Sequence, residues 1–289
     1  IKFLTHLKYY LKNFLNMLDD MVQIKIGCAG WNYKDWVGPF YPKSIESTAQ
    51  LDYYSQFFDI VEINSTFYNL PTVSMVTNWF SKVPKQFRFI VKVWQEITHK
   101  LHESEIDNQI DQFFYRMKPL EEKMFGYLFQ FPPWFHYSEE HLQKLSYLIN
   151  EIPLNDRLKY IFEFRDNSWF KPEILNKFID GKEKILGTTY KPDLEAYYLP
   201  KQLYYYIRLI GNRELNVFNR VQREQENILR DLIEKVDTFR KDHEIYEIFI
   251  IVNNHFMGFA PESVNLLKTR LKLPFKSFNQ QRKLTDFFI

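Results

Sequence analysis

Two glutamates and three cations sit inside otherwise apolar stretches of this chain: Glu62 in IVEINS, Lys92 in FIVKV, Glu163 and Arg165 in YIFEFR, and Arg208 in YYYIRL. A charge in such a run loses its hydration, which is costly unless the charge is paired or put to use. Carboxylates so placed can act as general acid or base or hold a hard divalent cation, while guanidinium and ammonium groups can grip phosphate. Side chains alternate along an extended strand, so Glu62 shares a face with Asn64, and Glu163 shares one with Arg165. Each pair is thereby aimed into one space.

Further polar and aromatic residues fall just beyond the same stretches. Trp31 and Tyr33 follow Gly30, His99 follows Thr98, Trp169 follows Arg165 and Asp166, and Asn253, Asn254 and His255 close the last run. Three cations, several amides and a belt of Trp and Tyr suit an anionic, ring-bearing ligand such as a nucleotide, a nucleic-acid strand or a sugar phosphate. On this reading Glu62, Glu163 and His255 are the catalytic candidates, and a divalent metal, Mg or Mn, is the cofactor they would hold. Trp31, Tyr33, Asn64, Lys92, His99, Arg165, Trp169, Arg208, Asn253 and Asn254 would contact the ligand. The competing account is structural, with Lys92, Arg165 or Arg208 neutralising Glu163 in a buried ion pair.

Absent patterns bound the chemistry. No HxH or HExxH spacing occurs, and of the seven histidines only His99 and His255 fall at strand ends, which argues against a multi-zinc cluster. Neither GxGxxG nor a Walker loop is present, so dinucleotide and P-loop chemistry have no support. GxSxG is missing too, and Ser65 has no evident base. The single cysteine, Cys28, excludes an internal disulfide, fits a reducing cytosol and reads as a small buried hydrophobe.

The elements that must position these residues alternate nearly to the end. Strands are predicted over 24–28, 60–65, 87–93, 125–131, 158–164, 184–190, 203–209 and 245–253, several as continuous apolar runs of the kind buried on both faces. Helical stripes fill the gaps at 51–58, 73–81, 106–118, 139–150, 172–179, 220–241 and 261–271. Ser138 is placed to cap one helix, and Pro172 and Pro261 suit first-turn positions. The span 191–202 is too short and proline-bounded for a full helix, so irregularity is expected there. The pattern predicts an α/β chain folded as a TIM-type (β/α)8 barrel over 22–275, whose chemistry belongs at the C-terminal ends of its strands.

Composition is consistent with that. The 289 residues are 45% hydrophobic and 18% aromatic, and the formal charge of +2 leaves any nucleic-acid binding to local patches. Residues 1–21 form an amphipathic pattern with interspersed lysines, expected to be an extra N-terminal helix capping the barrel bottom, with a place on a membrane surface as the alternative, rather than a membrane span or signal peptide. A cytoplasmic protein is expected, or a nuclear one if the source is eukaryotic.

Seven ordered motifs carry a resemblance. GCAGW at 27–31 with Trp36 and FYP at 40–42, VEINSTFY at 61–68, ITH at 97–99, QFPP at 130–133, EFR at 163–165 with Ser168 and Trp169, YIR at 206–208, and NNH at 253–255 are similar to the YecE-like proteins, also called domain of unknown function family 72. The resemblance spans about 24–271. It implies a TIM-type barrel with those residues in one pocket, and it implies no reaction. Two departures stand out: a small hydroxyl residue is usual near Cys28 and Ala29, and His-Gly is usual where Ile210 and Gly211 stand.

The last residues, QRKLTDFFI, place Gln281, Leu284, Phe287 and Phe288 at the spacing of the PCNA-interacting motif, or PIP-box. One 3₁₀ turn puts Leu284, Phe287 and Phe288 on one side as a plug while Gln281 enters a separate pocket. Lys276, Arg282 and Lys283 add attraction to an acidic partner. The alternative is that the paired phenylalanines fold back on the barrel. Residues 276–289 are therefore expected to be a tail that docks on the sliding clamp PCNA, which points to an archaeal or eukaryotic source. Together with the mouth, the tail predicts a DNA-processing protein of replication or repair, a nuclease first. The alternatives are a non-catalytic clamp-binding factor and a sugar-phosphate or other small-molecule barrel enzyme.

Overall fold

Eight runs of Ile, Val, Phe and Tyr become the eight parallel strands of a closed barrel in the computed structural model, which describes residues 22–101 and 106–278. The helix expected over 1–21 and the motif at 281–289 lie outside the described residues. The strands are β1 (Gln23–Ala29), β2 (Ile60–Ile63), β3 (Arg88–Lys92), β4 (Met124–Gln130), β5 (Lys159–Glu163), β6 (Lys184–Tyr190), β7 (Tyr204–Leu209) and β8 (Glu247–Val252). They neighbour one another in chain order, and β1 closes on β8 from Gln23 opposite Glu247 to Cys28 opposite Val252. All eight expected strands are present.

The barrel is filled by alternate strand residues. Ile60, Ile90, Leu128, Ile161, Ile185, Tyr206 and Ile251 form one buried cluster, while the residues between them join the larger core under the helices. Burial on both faces is what makes these runs continuously apolar. Close strand approach leaves no room at Gly27, where a Cβ would stand 2.1 Å from the Ile60 carbonyl oxygen.

The helices follow their predicted stripes with trimmed ends. Val73–Ser81 is capped by the Thr72 hydroxyl, and Glu139–Glu151 by the Ser138 hydroxyl, which accepts from the His141 backbone N–H at 3.1 Å. Pro172–Leu175 is shorter than expected, Glu226–Phe239 starts later than expected, and the stretch after β6 carries no helix, as its prolines predict. Strands β2 and β8 end earlier than their sequence patterns because single helical turns, Ser65–Tyr68 and Asn254–Met257, begin at once. A third such turn, Gln95–Thr98, follows β3.

The barrel's packing runs past residue 275. The Phe278 ring lies 5.0 Å from Phe40 and 6.2 Å from both Phe57 and Phe259, and Lys276 Nζ stands 4.9 Å over Phe57. Lys276 and Phe278, expected as the start of the tail, thus pack on the barrel.

Candidate ligand site at the barrel mouth

Glu62, Lys92, Gln130, Glu163 and Arg208 all stand at or next to the C-terminal ends of their strands, and Arg165 follows two residues after Glu163. Alternation turns them inward above the Ile161–Ile251 layer. Arg208 is the hub. Its Nε donates to Glu62 Oε2 at 2.8 Å, its Nη2 to Glu62 Oε1 at 2.6 Å, and its Nη1 to Glu163 Oε2 at 2.7 Å. The Tyr206 hydroxyl also donates to Glu62 Oε2. Arg165 Nη2 reaches Glu163 Oε1 at 2.5 Å as an ion pair without hydrogen-bond alignment, and its Nε is buried with no acceptor among the described residues. The side chains of Glu62 and Glu163 are fully buried, that of Arg208 is 3% exposed and that of Arg165 10%.

The electrostatics follow from that geometry. Burial pushes the Glu163 carboxyl upward, but Arg165 and Arg208 outweigh it and hold the group below the ordinary glutamate range. For Arg208, Glu163 and Glu62 more than offset burial, so the guanidinium stays charged.

Lys92 differs. Its Nζ donates to the neutral amide of Gln130 at 2.8 Å and lies 3.8 Å from the Phe67 ring centroid. The Gln130 amide is oriented by its own N–H, which donates to the Phe131 carbonyl at 2.7 Å. Burial first, and then the Arg208 cation, bring the Lys92 ammonium down to about 7 despite Glu163 and Glu62. The mouth therefore holds two carboxylates against two guanidinium groups and one labile ammonium.

The short turns hold this lysine in place. The Thr66 hydroxyl donates to the Lys92 carbonyl at 2.6 Å, and Phe67 on the same turn underlies the ammonium. His99 packs 4.8 Å from Phe67 with Nδ1 2.9 Å from the Thr98 hydroxyl. Burial and the Lys92 and Arg165 cations push His99 down to about 4, so it is neutral at physiological pH.

Other expected site residues are placed differently. Trp169 is fully buried, stacked 4.4 Å from Phe164 and 5.5 Å from Phe135, with its indole N–H bonded to the Phe135 carbonyl at 2.6 Å. It is a core residue and cannot stack on a ligand. Asn254 is buried too, and its Oδ1 accepts from the Trp36 indole at 3.1 Å and from Ala260 N at 3.0 Å. That residue ties loops together. Asn253 caps the turn after β8 by accepting from His255 N. Tyr33 donates to the Ala29 carbonyl at 2.6 Å, and half-buried Trp31 packs 5.8 Å from Trp79. Asn64 is half-buried at the end of β2 and makes no side-chain cap bond.

Of the expected acid/base and metal set, Glu62 and Glu163 are brought together on Arg208. The two carboxylates are committed to guanidinium groups, and His255 packs 4.9 Å from Phe218 with its Nδ1 buried and unpartnered among the described residues. Among the described residues, no group of three or more His, Cys, Asp or Glu side chains is arranged to hold a metal. Cys28 is buried, its thiol pushed up to about 12 chiefly by desolvation, which leaves it unreactive. Three contributors are carried only by the family motifs and not by the charge pattern: Tyr206, one alternation before Arg208, Phe67, the aromatic beneath Lys92, and Gln130, its hydrogen-bond acceptor. No helix of the described residues is long and apolar enough to cross a membrane.

Fold and mouth together define a (β/α)8-barrel protein with a buried charge cluster where such barrels bind their ligands. The family model described as "Protein of unknown function DUF72" matches residues 25–286. The chain belongs to the DUF72 family. It is 33% identical over 155 residues to the UPF0759 protein YunF of Bacillus subtilis, covering 52% of this chain and 53% of that protein. It is 29% identical over 147 residues to the UPF0759 protein YecE of Escherichia coli, covering 51% and 50%. The matched stretch thus spans about half the length of these curated relatives. A DUF72 crystal structure from Thermotoga maritima superposes with a TM-score of 0.71 at 25% identity, covering 86% of this chain and 99% of that one. One from Enterococcus faecalis gives 0.70 at 22%, covering 90% and 100%. At Ile210-Gly211, the departure noted in the sequence, Gly211 has φ +70° and a Cβ would lie 2.4 Å from the His255 carbonyl oxygen, so glycine itself is required.

Proposed function

We propose that the barrel mouth binds a phosphate-bearing ligand, and that the PIP-box spacing at Gln281, Leu284, Phe287 and Phe288 brings this site to DNA at a sliding clamp, in replication or repair. The observation that carries the reading is the pair of under-matched cations. Lys92 faces a neutral amide, and Arg165 keeps a buried Nε without an acceptor among the described residues. An incoming phosphate would supply the missing negative charge, with the Arg165 guanidinium as its donor and Lys92 adding positive charge to the mouth in its protonated form.

A metal-dependent nuclease, the reaction the sequence pattern favours, would need Glu62 or Glu163 free to hold a metal or a water. Both are held by Arg208, and the geometry therefore favours phosphate anchoring over hydrolysis by that route. The depth of the cluster favours one second reading, a small sugar phosphate, because a group must enter the mouth to meet side chains no more than 10% exposed.

The test combines capture and activity. The intact chain is expected to be retained by PCNA and released when residues 281–289 are removed or Phe287 and Phe288 are both changed to alanine. Cleavage of single-stranded or branched DNA with Mg or Mn, lost in Glu163→Gln, would restore the nuclease reading, whereas retention without cleavage would support a binding factor. No retention, together with no stabilisation by inorganic phosphate, would remove the proposal.

A further inference from the structure

Lys92 is set apart from the other charged residues of the mouth by what surrounds it. Its Nζ is nearly buried, hydrogen-bonded to Gln130 Oε1 at 2.8 Å and seated 3.8 Å from the Phe67 ring centroid. The groups that act on it are Glu62 from β2, Glu163 and Arg165 from the end of β5, and Arg208 from β7. Both carboxylates are already paired with guanidinium groups. His99, on the neighbouring turn, is neutral and adds no charge at physiological pH. With its ammonium brought down to about 7, Lys92 holds a far larger share of free amine at neutral pH than an ordinary lysine does. A desolvated lysine beside other cations is the setting in which an amine becomes a nucleophile.

We propose that Lys92 is a nucleophilic amine that forms an imine with an aldehyde or ketone carried on a phosphate ester, the phosphate being held by Arg165. The inference rests on the phosphate-binding reading of the mouth. In the step, the Nζ lone pair adds to the carbonyl carbon, making a C–N bond while the carbonyl oxygen takes up a proton as a hydroxyl. That oxygen then leaves as water and the nitrogen gives up its remaining protons. The sum is amine plus carbonyl giving imine plus water, with no oxidation or reduction. Gln130 Oε1 holds one N–H of the amine, which leaves the lone pair directed elsewhere. Two sources supply such a carbonyl. A deoxyribose that has lost its base opens within a DNA strand to an aldehyde flanked by phosphate, and a free sugar phosphate presents the same groups.

Borohydride reduction converts the imine to a stable secondary amine and so tests the proposal directly. The full chain is incubated at pH 7 with glyceraldehyde 3-phosphate, or with an oligonucleotide bearing one base-free deoxyribose, then reduced and peptide-mapped. One adduct per chain is expected on the peptide containing Lys92, at about tenfold or more over any other lysine. Lys92→Arg, which keeps the charge, is expected to lose it. An adduct with the oligonucleotide assigns the DNA source, and an adduct with the sugar phosphate alone assigns the small molecule. If inorganic phosphate stabilises the chain but labelling is spread over surface lysines, the imine is overturned and the phosphate site stands. If Lys92 is labelled equally by unphosphorylated glyceraldehyde, the phosphate reading falls, and the proposed substrate class with it. Mapping on the unaltered chain keeps the test valid even where a variant folds poorly.

Discussion

Arg208 and Glu62, 146 residues apart in the chain and on strands that are not neighbours, meet inside the barrel in a two-pronged pair at 2.8 and 2.6 Å. The third guanidinium nitrogen crosses to Glu163 at 2.7 Å, so one side chain links β2, β5 and β7. Lysine has no comparable planar fork, and this geometry is the reason for arginine at the position. The cluster sits directly on the apolar layer that fills the barrel, which makes it part of the core as well as the floor of the mouth.

Removing Arg208 is therefore expected to be severe. Arg208→Met leaves two buried carboxylates without their shared partner, a loss of about 3–5 kcal/mol in unfolding free energy. Urea denaturation at pH 7 measures it. Arg208→Lys should recover part of the loss, because it restores the charge but not the fork. A cost below about 1 kcal/mol for Arg208→Met would mean that the pairing is energetically idle.

Lys92 makes a distinct prediction about pH. Its folded-state value of about 7 lies below the unfolded lysine value of about 10.4, so between these limits the unfolded chain binds more protons. Stability should accordingly rise with pH across that window, by up to about 1.4 kcal/mol per pH unit from this one group. Glu163 works in the acid range: its depressed carboxyl contributes stability above about 4.3 that is lost as pH falls through its folded value. Comparing urea midpoints of the wild type and Lys92→Met at pH 7.5 and 9.5 isolates the lysine, since the tyrosines and other groups are common to both. Parallel profiles would contradict the assignment.

Trp169→Phe separates core from ligand contact. The substitution keeps the stack on Phe164 and Phe135 but leaves the Phe135 carbonyl without its donor, at a cost of about 1–3 kcal/mol. The shift in melting temperature caused by inorganic phosphate should be unchanged, because the ring does not reach the mouth. A weakened phosphate response in this variant, with stability intact, would return Trp169 to the ligand site.

Sequence and structure agree where the physics is local. Each of the eight strands is legible because a strand buried on both faces must be apolar along its whole length, as in Ile248 to Val252. Glu62, Lys92, Glu163 and Arg208 stand out for the same reason, as charges interrupting such runs. Which charge takes which partner is not legible, since the pairs span 45 and 146 residues and depend on how the barrel closes. Tyr206 is legible only through the YIR motif, because tyrosine in an apolar run looks like core, although alternation puts it beside Arg208. The turns Ser65–Tyr68 and Asn254–Met257 are too short to show a helical period, and with them the placement of Phe67 and Asn254 is lost. Trp169 misleads because a position after a strand end does not say whether a short turn sends the ring to the mouth or beneath it.

The surplus of positive charge can be cancelled by one atom's change, and this tests the phosphate reading at its root. Gln130→Glu puts a carboxylate where the amide oxygen now lies, 2.8 Å from Lys92 Nζ. An anion at that distance favours the ammonium, so the lysine's proton should be retained well above pH 7 and the rise in stability between pH 7 and 10 should flatten. Three carboxylates would then face three cations, and an incoming phosphate would meet a neutral mouth. The thermal stabilisation by saturating inorganic phosphate should fall by at least half, and reductive labelling of Lys92 at pH 7 should fall about tenfold. The change also removes the amide N–H that donates to Phe131, worth about 1 kcal/mol, and Gln130→Met controls for that loss without adding charge. Full phosphate stabilisation in Gln130→Glu, matching that of Gln130→Met, would show that Lys92 does not supply the charge that draws an anion into the barrel.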